Sequence, residues 1–579
     1  MGSAKSLAYD VESFAHDAFV VFIDTESREV VGEFHNDFTG IEKLVNDNLL
    51  VGYNNFAYDD YILTAMLKGW TPEQIKKLND EVISDNQRVK DVDLRIKSID
   101  CFQQIDVGKP SLKRIEANMG RSILESSVDF TIQRPLTQQE VEEVKAYNRY
   151  DVLMTIEVYH MRMKSYFEPK LQIIKRLPKD LQIRSPRYNT TTVTAMLLTN
   201  QKKSIRWSGV RLYPPKESHL EEGDFGSSPR FEGIPDGAIK MWQENIGKEK
   251  PKGYKHKEFG CKIDFSLGGI HGVNISKQRR FQSAIGLDFA SLYPNIMVQL
   301  EALGIATPIF KEIMEERLAV KKSDPILSGA LKLVINSTYG LLKNQYSMLY
   351  NPMAGTSVCI FGQILIYNLC KELAATGAKI FNINTDGVYF TSDNDDWKEV
   401  QRSFQEQYRI PLEEEHFQEV FQFDVNSYIA VKPDGSYKTK GALVGRYGED
   451  TYFKNNSLRI VDIAITDYLI KGIPPRQTIL KHMNEPRLFQ IVLQAGGTYL
   501  GTYDDQGNKY QKVNRVFPKK GKGVKLYKKR PDGGLVNFPS VPDEMLIFND
   551  DLESFTTFRQ EVDFTYYLKL IESKLEGVE

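Results

Sequence analysis

Two aspartates, each at the end of an apolar run, are the residues of this chain best suited to chemistry. Asp288 follows the apolar residues 284–287, and Asp386 lies between the apolar runs 378–383 and 388–390. Two carboxylates about 4 Å apart repel by about 4 kcal/mol at an effective dielectric of about 20, so their convergence requires a bound cation or a proton. Mg²⁺ suits such a pair because it is hard, prefers oxygen and is commonly shared with substrate phosphates. The pair therefore predicts a site of metal-assisted phosphoryl transfer.

Four short motifs surround these aspartates. Residues 288–294 read DFASLYP, residues 332–340 KLVINSTYG, residues 384–387 NTDG and residues 438–441 KTKG. In this order they resemble the motifs D-x-x-S-L-Y-P, K-x-x-x-N-S-x-Y-G, D-T-D-S and K-x-K-G of the family B DNA polymerases, in the compact form that bacteriophages encode. The resemblance covers nearly the whole chain.

The resemblance implies a fold and an activity. We expect an α/β and α+β multidomain protein, with an RNase H-like exonuclease domain followed by a right-hand polymerase of palm, fingers and thumb. The implied reaction extends a primer 3′ end with dNTPs, using two Mg²⁺ ions per active site, which Mn²⁺ can replace. The predicted boundaries are 1–180 for the exonuclease, 181–283 for a linker into the palm, 284–306 and 346–444 for the palm, 307–345 for the fingers and 445–579 for the thumb.

The polymerase motifs imply a nucleotide-binding set. Residues 310–322 and 326–342 predict two helices, and residues one turn apart on each can converge on a triphosphate. By resemblance, Tyr293 excludes a ribose 2′-hydroxyl and Tyr339 packs beneath the new base pair. The predicted dNTP contacts are Ser291, Leu292, Tyr293, Arg317, Lys321, Lys332, Asn336 and Tyr339. Ordinary solvated helix charges are the alternative for Arg317 and Lys321.

The third motif departs from the family pattern at Asn384 and Gly387. If the first carboxylate were indispensable, the chain would be an inactive polymerase. We expect an active one, because Asp288 and Asp386 supply the metal bridge while an asparagine can keep the neighbouring hydrogen bonds.

A second group of carboxylates lies in the first 180 residues. Asp10 and Glu12 are two apart on a predicted strand and so point to the same face, and Tyr147 precedes Asp151 by one turn of a predicted helix, 140–159. Here the chain resembles a DEDD-type 3′→5′ exonuclease. The resemblance implies that two metals are held by Asp10, Glu12, Asp59 and Asp151, and that Tyr147 orients the attacking water. Asp60 is an alternative to Asp59, although the motif spacing favours Asp59.

The resemblance also implies contacts to DNA. The frayed primer end would meet Asn55, Tyr58, Ser111 and Leu112; the Gly268–Gly269 backbone would lie close to DNA; and Lys438 and Lys440 would reach primer phosphates. His271, beside these glycines, is expected to pack or to form a hydrogen bond rather than to act as a base.

A basic segment predicts a further DNA contact. Residues 509–530 hold ten basic residues, Lys519 and Lys520 among them, and no acidic ones, in a chain whose formal net charge is −2. The segment would grip duplex phosphates, or else form a solvated basic hairpin. The acidic run 413–415 is expected to be solvated surface.

Length and composition set outer limits. At 579 residues the chain should contain three or more domains, and 41% hydrophobic with 26% charged residues is typical of a soluble globular protein. No apolar run is expected to reach the length of a membrane span, so we expect a cytoplasmic protein, in the host if phage-encoded, and no membrane partner. Four scattered cysteines argue against structural zinc and disulfides. The expected partners are primer-template DNA, dNTPs and, as an open candidate, a processivity or single-strand-binding protein, with the chain itself a monomer.

Three other classes of protein compete with a proofreading polymerase that replicates a phage genome. A nuclease with a degenerate polymerase half would have lost Lys332, Asn336 and Tyr339. A non-catalytic DNA-binding scaffold would need neither set of carboxylates. A primase-like enzyme would be expected to lack the bulky Tyr293.

Overall fold

The computed structural model describes residues 5–85, 93, 95–182, 185–200, 231–245, 251–276, 278–441 and 452–576. Across these residues the chain is a mixed α/β structure with one sheet near the N-terminus, one large central sheet and two small sheets near the C-terminus. The multidomain fold class predicted from the sequence is confirmed.

The N-terminal sheet has the strand order β3-β2-β1-β4-β5. Its strands are β1 Ser6–Ser13, β2 Ala18–Asp24, β3 Val30–His35, β4 Leu49–Gly52 and β5 Ser98–Asp100. The first three strands are antiparallel, and β4 and β5 run parallel to β1. Every residue of β2 is buried, which its apolar sequence AFVVFID permits. This order and these directions are those of an RNase H-like sheet, as predicted.

Five helices accompany this sheet, and the longest covers β1 and β2. They are α1 Ile41–Asp47, α2 Asp59–Leu67, α3 Pro72–Asp85, α4 Leu112–Met119 and α5 Gln138–Arg162. Helix α5 begins at a capping box, in which the Thr137 side chain accepts from the Glu140 backbone and the Glu140 side chain returns to the Thr137 backbone. That cap fixes where the helix starts, and therefore which face its later residues present to the sheet.

The central sheet is antiparallel, with the order β14-β13-β12-β9-β11-β10-β8-β7-β6. Its strands are β6 Tyr254–Glu258, β7 Cys261–Ser266, β8 Gly269–Asn274, β9 Arg280–Phe289, β10 Lys379–Ile383, β11 Gly387–Thr391, β12 Leu412–Asp424, β13 Ser427–Val431 and β14 Tyr437–Lys440. The predicted hairpin around Asp386 is confirmed as β10 and β11. Within the predicted linker or inter-domain region 181–283, β6, β7 and β8 belong to this sheet, so that region leads into the palm as strands of the palm sheet itself. Residues 201–230 lie outside the described residues.

Nine described helices lie before and between the strands of the central sheet. They are α6 Glu168–Lys175, α7 Lys179–Gln182, α8 Thr190–Thr199, α9 Asp236–Asn245, α10 Leu292–Gln299, α11 Thr307–Val320, α12 Pro325–Lys343, α13 Pro352–Ala375 and α14 Trp397–Tyr408. The two predicted finger helices are confirmed as α11 and α12, which pack on each other. Helix α12 is capped by Asp324, whose side chain accepts from the Leu327 backbone, and has Pro325 as its first residue.

Helix α13 corrects an expectation about apolar runs. It has 24 residues and a mean hydropathy of 1.5 over its most apolar window, so by length and composition it could cross a membrane. However, 83% of that window is buried inside the structure, where α13 packs on α10, α12 and β8. The helix is therefore a core element of the central domain.

The C-terminal part combines helices with two small sheets. Its helices are α15 Arg459–Lys471, α16 Pro475–Lys481, α17 Pro486–Phe489, α18 Phe558–Glu561 and α19 Phe564–Leu575. Its strands are β15 Ile491–Gln494, β16 Gly501–Tyr503, β17 Lys509–Tyr510, β18 Val513–Pro518, β19 Tyr527–Lys529, β20 Leu535–Asn537 and β21 Met545–Ile547, paired as β15-β18-β21 and β17-β16-β19-β20. Helices α15, α16 and α19 share one apolar core.

Candidate active sites

The structure brings Asp288 and Asp386 together in the central sheet. Asp288 is the next-to-last residue of β9 and lies opposite Gly387, the first residue of β11. The turn that carries Asp386 is held by the Phe289 backbone N–H, which donates to the Asp386 carbonyl at 2.7 Å. Burial and then the charge of Asp386 raise the pKa of Asp288 to about 6. The two carboxylates therefore repel each other, as expected of a pair that receives a cation.

Gly387 leaves the space that the Asp288 carboxylate uses. A Cβ at position 387 would overlap Asp288 Oδ1 and lie 2.8 Å from both Asp288 Cγ and the Leu287 carbonyl oxygen. The family pattern has a serine at this position, so the departure in this chain is tied to where Asp288 places its carboxylate.

Asn384, the other departure, takes part in a buried hydrogen-bond chain. Its Nδ2 donates to Asn382 Oδ1 at 2.7 Å, and Asn382 Nδ2 donates to the Val425 carbonyl at 3.0 Å. The Asn384 side chain is only 5% exposed, and its Oδ1 has no partner among the described residues. An aspartate could not make the same donation, because an ionised carboxylate only accepts.

Glu415 was missed as part of this site. The acidic run 413–415 was expected to be solvated, and Glu413 and Glu414 are indeed exposed. Glu415, however, is half-buried and forms ion pairs with Lys438 and, at 3.5 Å, with Lys432. Burial acts to raise the pKa of Glu415, but Lys438 and Lys432 together outweigh it, so the pKa is lowered. Glu415 also raises the pKa of Asp288, while Lys438 and Lys440 lower it. The alternation of β12 could have placed Glu415 on the same face as the buried Phe417, but not beside Lys438, which lies two strands away on β14.

Two tyrosines form a wall near Asp386. The rings of Tyr293 and Tyr339 are 4.7 Å apart in an edge-on contact. Burial raises the pKa of both phenols, and the charge of Asp386 contributes for Tyr293, so both hydroxyls stay protonated. Ser291, just before α10, has the left-handed backbone φ of 55°, which is a strained conformation for serine. Leu292 is only 3% exposed, so the backbone N–H at this helix start, rather than its side chain, can meet an anion.

The finger helices leave most of the predicted triphosphate contacts exposed. Lys332 and Asn336 are exposed on one face of α12, with Gly340 one turn further on. Lys321 is exposed directly after α11, while Arg317 is half-buried and its Nε has no partner among the described residues. These positions suit triphosphate contacts, and their assignment stays a prediction.

The Gly268–Gly269 segment touches the Asp386 turn. Gly269 has a φ of 141°, and a Cβ there would lie 2.9 Å from Thr385 Oγ1, so glycine is required for this approach. His271 Nε2 lies 3.3 Å from the same hydroxyl. Burial and then Lys440 lower the pKa of His271. His271 thus makes a hydrogen-bonding contact, as expected, while Gly268 is exposed.

The N-terminal sheet gathers the other four carboxylates. Asp10 and Glu12 lie on β1, Asp59 starts α2 and Asp151 lies on α5. Burial and then the charge of Asp151 raise the pKa of Asp10 to about 8, and burial with the charge of Asp10 raises the pKa of Glu12 and of Asp59. The predicted set is therefore one electrostatic cluster. Tyr147, whose pKa is raised by burial and by Asp151, joins it from α5.

A lysine and a fifth carboxylate were missed at this cluster. Lys113 Nζ donates to Asp151 and, at 3.3 Å, to Glu116 Oε1, and it lies 4.7 Å from the centre of the Tyr147 ring. Burial acts to lower the pKa of Lys113, but Asp151 and Glu116 outweigh it and raise that pKa. Burial raises the pKa of Glu116 to about 8. The helical spacing of Lys113 and Glu116 indicates their own contact, but not that of Lys113 with Asp151.

Asp60 is occupied by structural contacts. It accepts hydrogen bonds from Tyr9, from Arg187, from Ser98 Oγ at 2.8 Å and from Asn55 Nδ2 at 3.1 Å, and it is 0% exposed. Asp59, in contrast, interacts with the charge of Asp10. The geometry favours Asp59 as the ligand, in agreement with the motif spacing.

The predicted primer contacts differ in accessibility. Asn55 is 0% exposed and bound to Asp60, so its side chain does not reach the surface. Tyr58 is half-buried, and its hydroxyl donates to Asn79 Oδ1 at 2.5 Å. Ser111 caps α4 by accepting from the Arg114 backbone N–H at 3.3 Å, and Leu112 packs in the core between the sheet and α5. Of the four predicted primer contacts, Tyr58, Ser111 and Leu112 are partly exposed and could meet DNA, whereas Asn55 is buried.

The basic segment 509–530 is not uniformly available for DNA. Arg515 is 0% exposed, and its Nη2 donates to the carbonyls of Ala117 at 3.2 Å and Arg121 at 2.6 Å, so it joins the C-terminal part to the end of α4. Burial lowers the pKa of Arg515 to about 10. Lys520 donates to the Arg559 carbonyl at 2.9 Å, and Lys519 is half-buried. The segment is therefore partly structural.

The donor sets at both sites fit Mg²⁺ in kind, since they are carboxylate oxygens whose charges repel one another. In the described part of the chain, no group of three or more Asp, Glu, His or Cys side chains is arranged to hold an ion.

Comparisons with known proteins agree with the motifs. The chain is 21% identical to a DNA polymerase of Archaeoglobus fulgidus over 472 residues, which are 74% of this chain and 53% of that protein. It is 22% identical to DNA polymerase 1 of Pyrococcus abyssi over 306 residues, or 44% of this chain and 37% of that one. The match thus spans about half of the Archaeoglobus protein. No protein-family model matches the chain.

Among solved structures, the family B DNA polymerase of Pyrobaculum calidifontis aligns over 99% of this chain and 78% of its own, with 15% identity and a TM-score of 0.43. The archaeal relatives, both DNA polymerases, confirm the resemblance of this chain to DNA polymerases. The compact bacteriophage-like form stays a prediction.

Proposed function

We propose that this chain is a DNA-templated DNA polymerase that extends a primer 3′ end with dNTPs. The observation that carries the proposal is the placing of Asp288 and Asp386 side by side at the Asn384–Gly387 turn, with the Tyr293–Tyr339 wall nearby. Two bound Mg²⁺ ions would activate the primer hydroxyl and neutralise charge on the transferred phosphate and the leaving pyrophosphate. Asp288 and Asp386 would hold them.

The surrounding side chains would orient the substrates. The exposed Lys332 and Asn336 would meet the triphosphate, and the Tyr293 ring would fill the space that a ribose 2′-hydroxyl needs. Lys438, held by Glu415, and Lys440 would contact primer phosphates. Phosphoryl transfer of this kind depends on positioning and charge more than on proton chemistry.

We further propose 3′→5′ proofreading at the N-terminal cluster. Asp10, Glu12, Asp59 and Asp151 form one group of mutually repelling carboxylates, which β1, α2 and α5 bring together at an RNase H-like sheet, and this supports metal-assisted hydrolysis. Lys113 and Tyr147 stand at its edge, where they could contact the scissile phosphate and the attacking water.

Separate substitutions at the two sites test this proposal. Asp386→Ala should abolish dNTP incorporation on a primed template with Mg²⁺ and leave single-strand degradation intact, whereas Asp10→Ala with Glu12→Ala should do the reverse. Asp393→Ala is a matched control, because Asp393 lies just after the same hairpin with a side chain 92% exposed. Loss of both activities in a folded single-site variant would contradict two separate sites.

The mode of priming is also proposed. Two intervals between the polymerase motifs are short: Asp288 to Lys332 spans 44 positions (332 − 288), and Gly340 to Asn384 also spans 44 (384 − 340). Helices α10 to α13 and strand β10 occupy these intervals. No room remains there for an extra clamp-like subdomain, so we propose ordinary nucleic-acid primers and modest, salt-sensitive processivity. A replicative role in a phage and a cytoplasmic location stay predictions.

A further inference from the structure

Helix α13 turns one face toward the Tyr293–Tyr339 wall. Its residues Gly355, Cys359, Gly362 and Gln363 follow the spacing that places side chains on one helical face, and all are buried. Because α13 packs on both α10 and α12, this face lies behind the two helices that carry the tyrosines.

The thiol of Cys359 is the polar contact behind the wall. Tyr293 donates its hydroxyl to Cys359 Sγ at 3.6 Å, and Gln363 Nε2 lies 3.4 Å from the same sulfur. The Tyr339 hydroxyl is buried without a hydrogen-bond partner among the described residues, and its pKa is raised by the nearby Cys359 in addition to burial. Cys359 itself is 0% exposed. The sulfur therefore contacts the Tyr293 hydroxyl and lies close enough to Tyr339 to influence its phenol.

Gly362 sets how deep the Tyr293 ring can lie. A Cβ at this position would be 2.7 Å from Tyr293 Cε1, closer than side-chain carbons approach in proteins, and 3.7 Å from Leu292 Cδ2. The ring thus rests directly on the helix backbone. Any side chain at 362 would push Tyr293 away from α13.

Gln363 joins this arrangement to the Gly268–Gly269 segment. Its Nε2 donates to the Ser266 carbonyl at 2.9 Å, two residues before Gly268. The depth of the wall and the position of the segment beside Thr385 are therefore fixed from the same helix.

We propose that Cys359 and Gly362 are positioning residues that set the depth of the Tyr293 ring and thereby the selection of deoxyribose over ribose. The inference rests on the proposed polymerase function. Removing the sulfur lets the hydroxyl end of the ring, which contacts Cys359, tilt toward α13 and opens space for a 2′-hydroxyl. Adding a methyl group at 362 moves the ring the opposite way, into the space of the sugar itself.

The experiment compares Cys359→Ala, Cys359→Ser and Gly362→Ala with Cys370→Ala as a matched control. Cys370 is a cysteine of the same helix that is equally buried, but the structure gives it no contact with either tyrosine. Single-nucleotide incorporation would give kcat and KM for one dNTP and for its rNTP. Degradation of single-stranded DNA by each variant shows that it is folded.

The expected effects have opposite directions. Cys359→Ala should lower the dNTP-over-rNTP ratio of kcat/KM by about tenfold through improved rNTP use, with dNTP kcat nearly unchanged, and Cys359→Ser should restore most of it. Gly362→Ala should raise the KM for dNTP by about tenfold. Cys370→Ala should match the wild type.

An unchanged ratio in Cys359→Ala, or the same change in Cys370→Ala, would overturn the inference, even if Gly362→Ala fails to fold. A wild-type chain that adds no dNTP to a primed template would instead refute the proposed function. The two failures are thus distinguishable.

Discussion

Restoring the family's serine at position 387 should impair DNA synthesis. In Gly387→Ser the new Cβ would overlap Asp288 Oδ1 and lie 2.8 Å from Asp288 Cγ, where ordinary contacts begin at 3.4 Å. Cγ must move by at least 0.6 Å (3.4 − 2.8) and Oδ1 by more, while the β9–β11 pairing holds both backbones. A displacement of about 1 Å at a reacting group costs about 10²-fold in rate, which is about 2.7 kcal/mol of transition-state stabilisation.

Rapid-quench measurement of single-dNTP incorporation would give this loss directly. The control is Gly329→Ala on α12, where an added Cβ meets nothing within 4 Å. Wild-type incorporation by Gly387→Ser, with the control also unchanged, would refute the claim that the Asp288 carboxylate works in the place where the structure puts it.

Three further predictions concern buried polar groups. Asp60→Ala should lower the free energy of unfolding by several kcal/mol, because four side chains lose their shared acceptor: Tyr9, Arg187, Ser98 and Asn55. Asp59→Ala should instead stop degradation with little change in stability. Equal Tm values for the two variants would contradict this. Asn384→Asp should still extend a primer, but its free energy of unfolding should fall by about 1–3 kcal/mol, because a carboxylate cannot donate to Asn382 Oδ1. An unchanged Tm would show that this hydrogen bond is unimportant. Without Mg²⁺, the contribution of Asp10 to stability should fall as the pH rises from about 4 to about 8. Asp10 has a pKa of about 8 when folded and about 4 when unfolded, so the folded chain keeps a proton that the unfolded chain has released. The stability advantage of Asp10→Asn over the wild type should therefore grow across that range in thermal melts, and a constant difference would contradict the assignment.

Much of the site could be predicted because the spacing of residues within one strand or helix shows which side chains share a face. Asp10 and Glu12 share a strand face, Tyr147 and Asp151 share a helix face, and the apolar runs on either side of Asp386 predict a hairpin. Such patterns can be recognised from the residue period of a single helix or strand, without knowledge of the tertiary structure. The same holds for the pair of finger helices.

Contacts between distant segments could not be predicted in the same way. Arg515 stands in a basic run, and nothing in that run shows that its guanidinium donates to the carbonyls of Ala117 and Arg121 almost 400 positions away. The sequence likewise gives no indication of the role of Cys359, because a cysteine in an apolar helix is typical of a residue that only packs in the core. The strands of 254–274 were missed because Pro, Gly and Lys residues around them are typical of loops.

The central claim is that one chain both extends and trims a primer, at two sites. The most direct measurement is a primer-extension gel with the purified chain, Mg²⁺ and a primed template, comparing dNTPs with rNTPs and a matched with a mismatched 3′ end. The account predicts full extension with dNTPs, little with rNTPs, and removal of the mismatched nucleotide before extension. Degradation without any dNTP addition, or equal use of rNTPs, would contradict it.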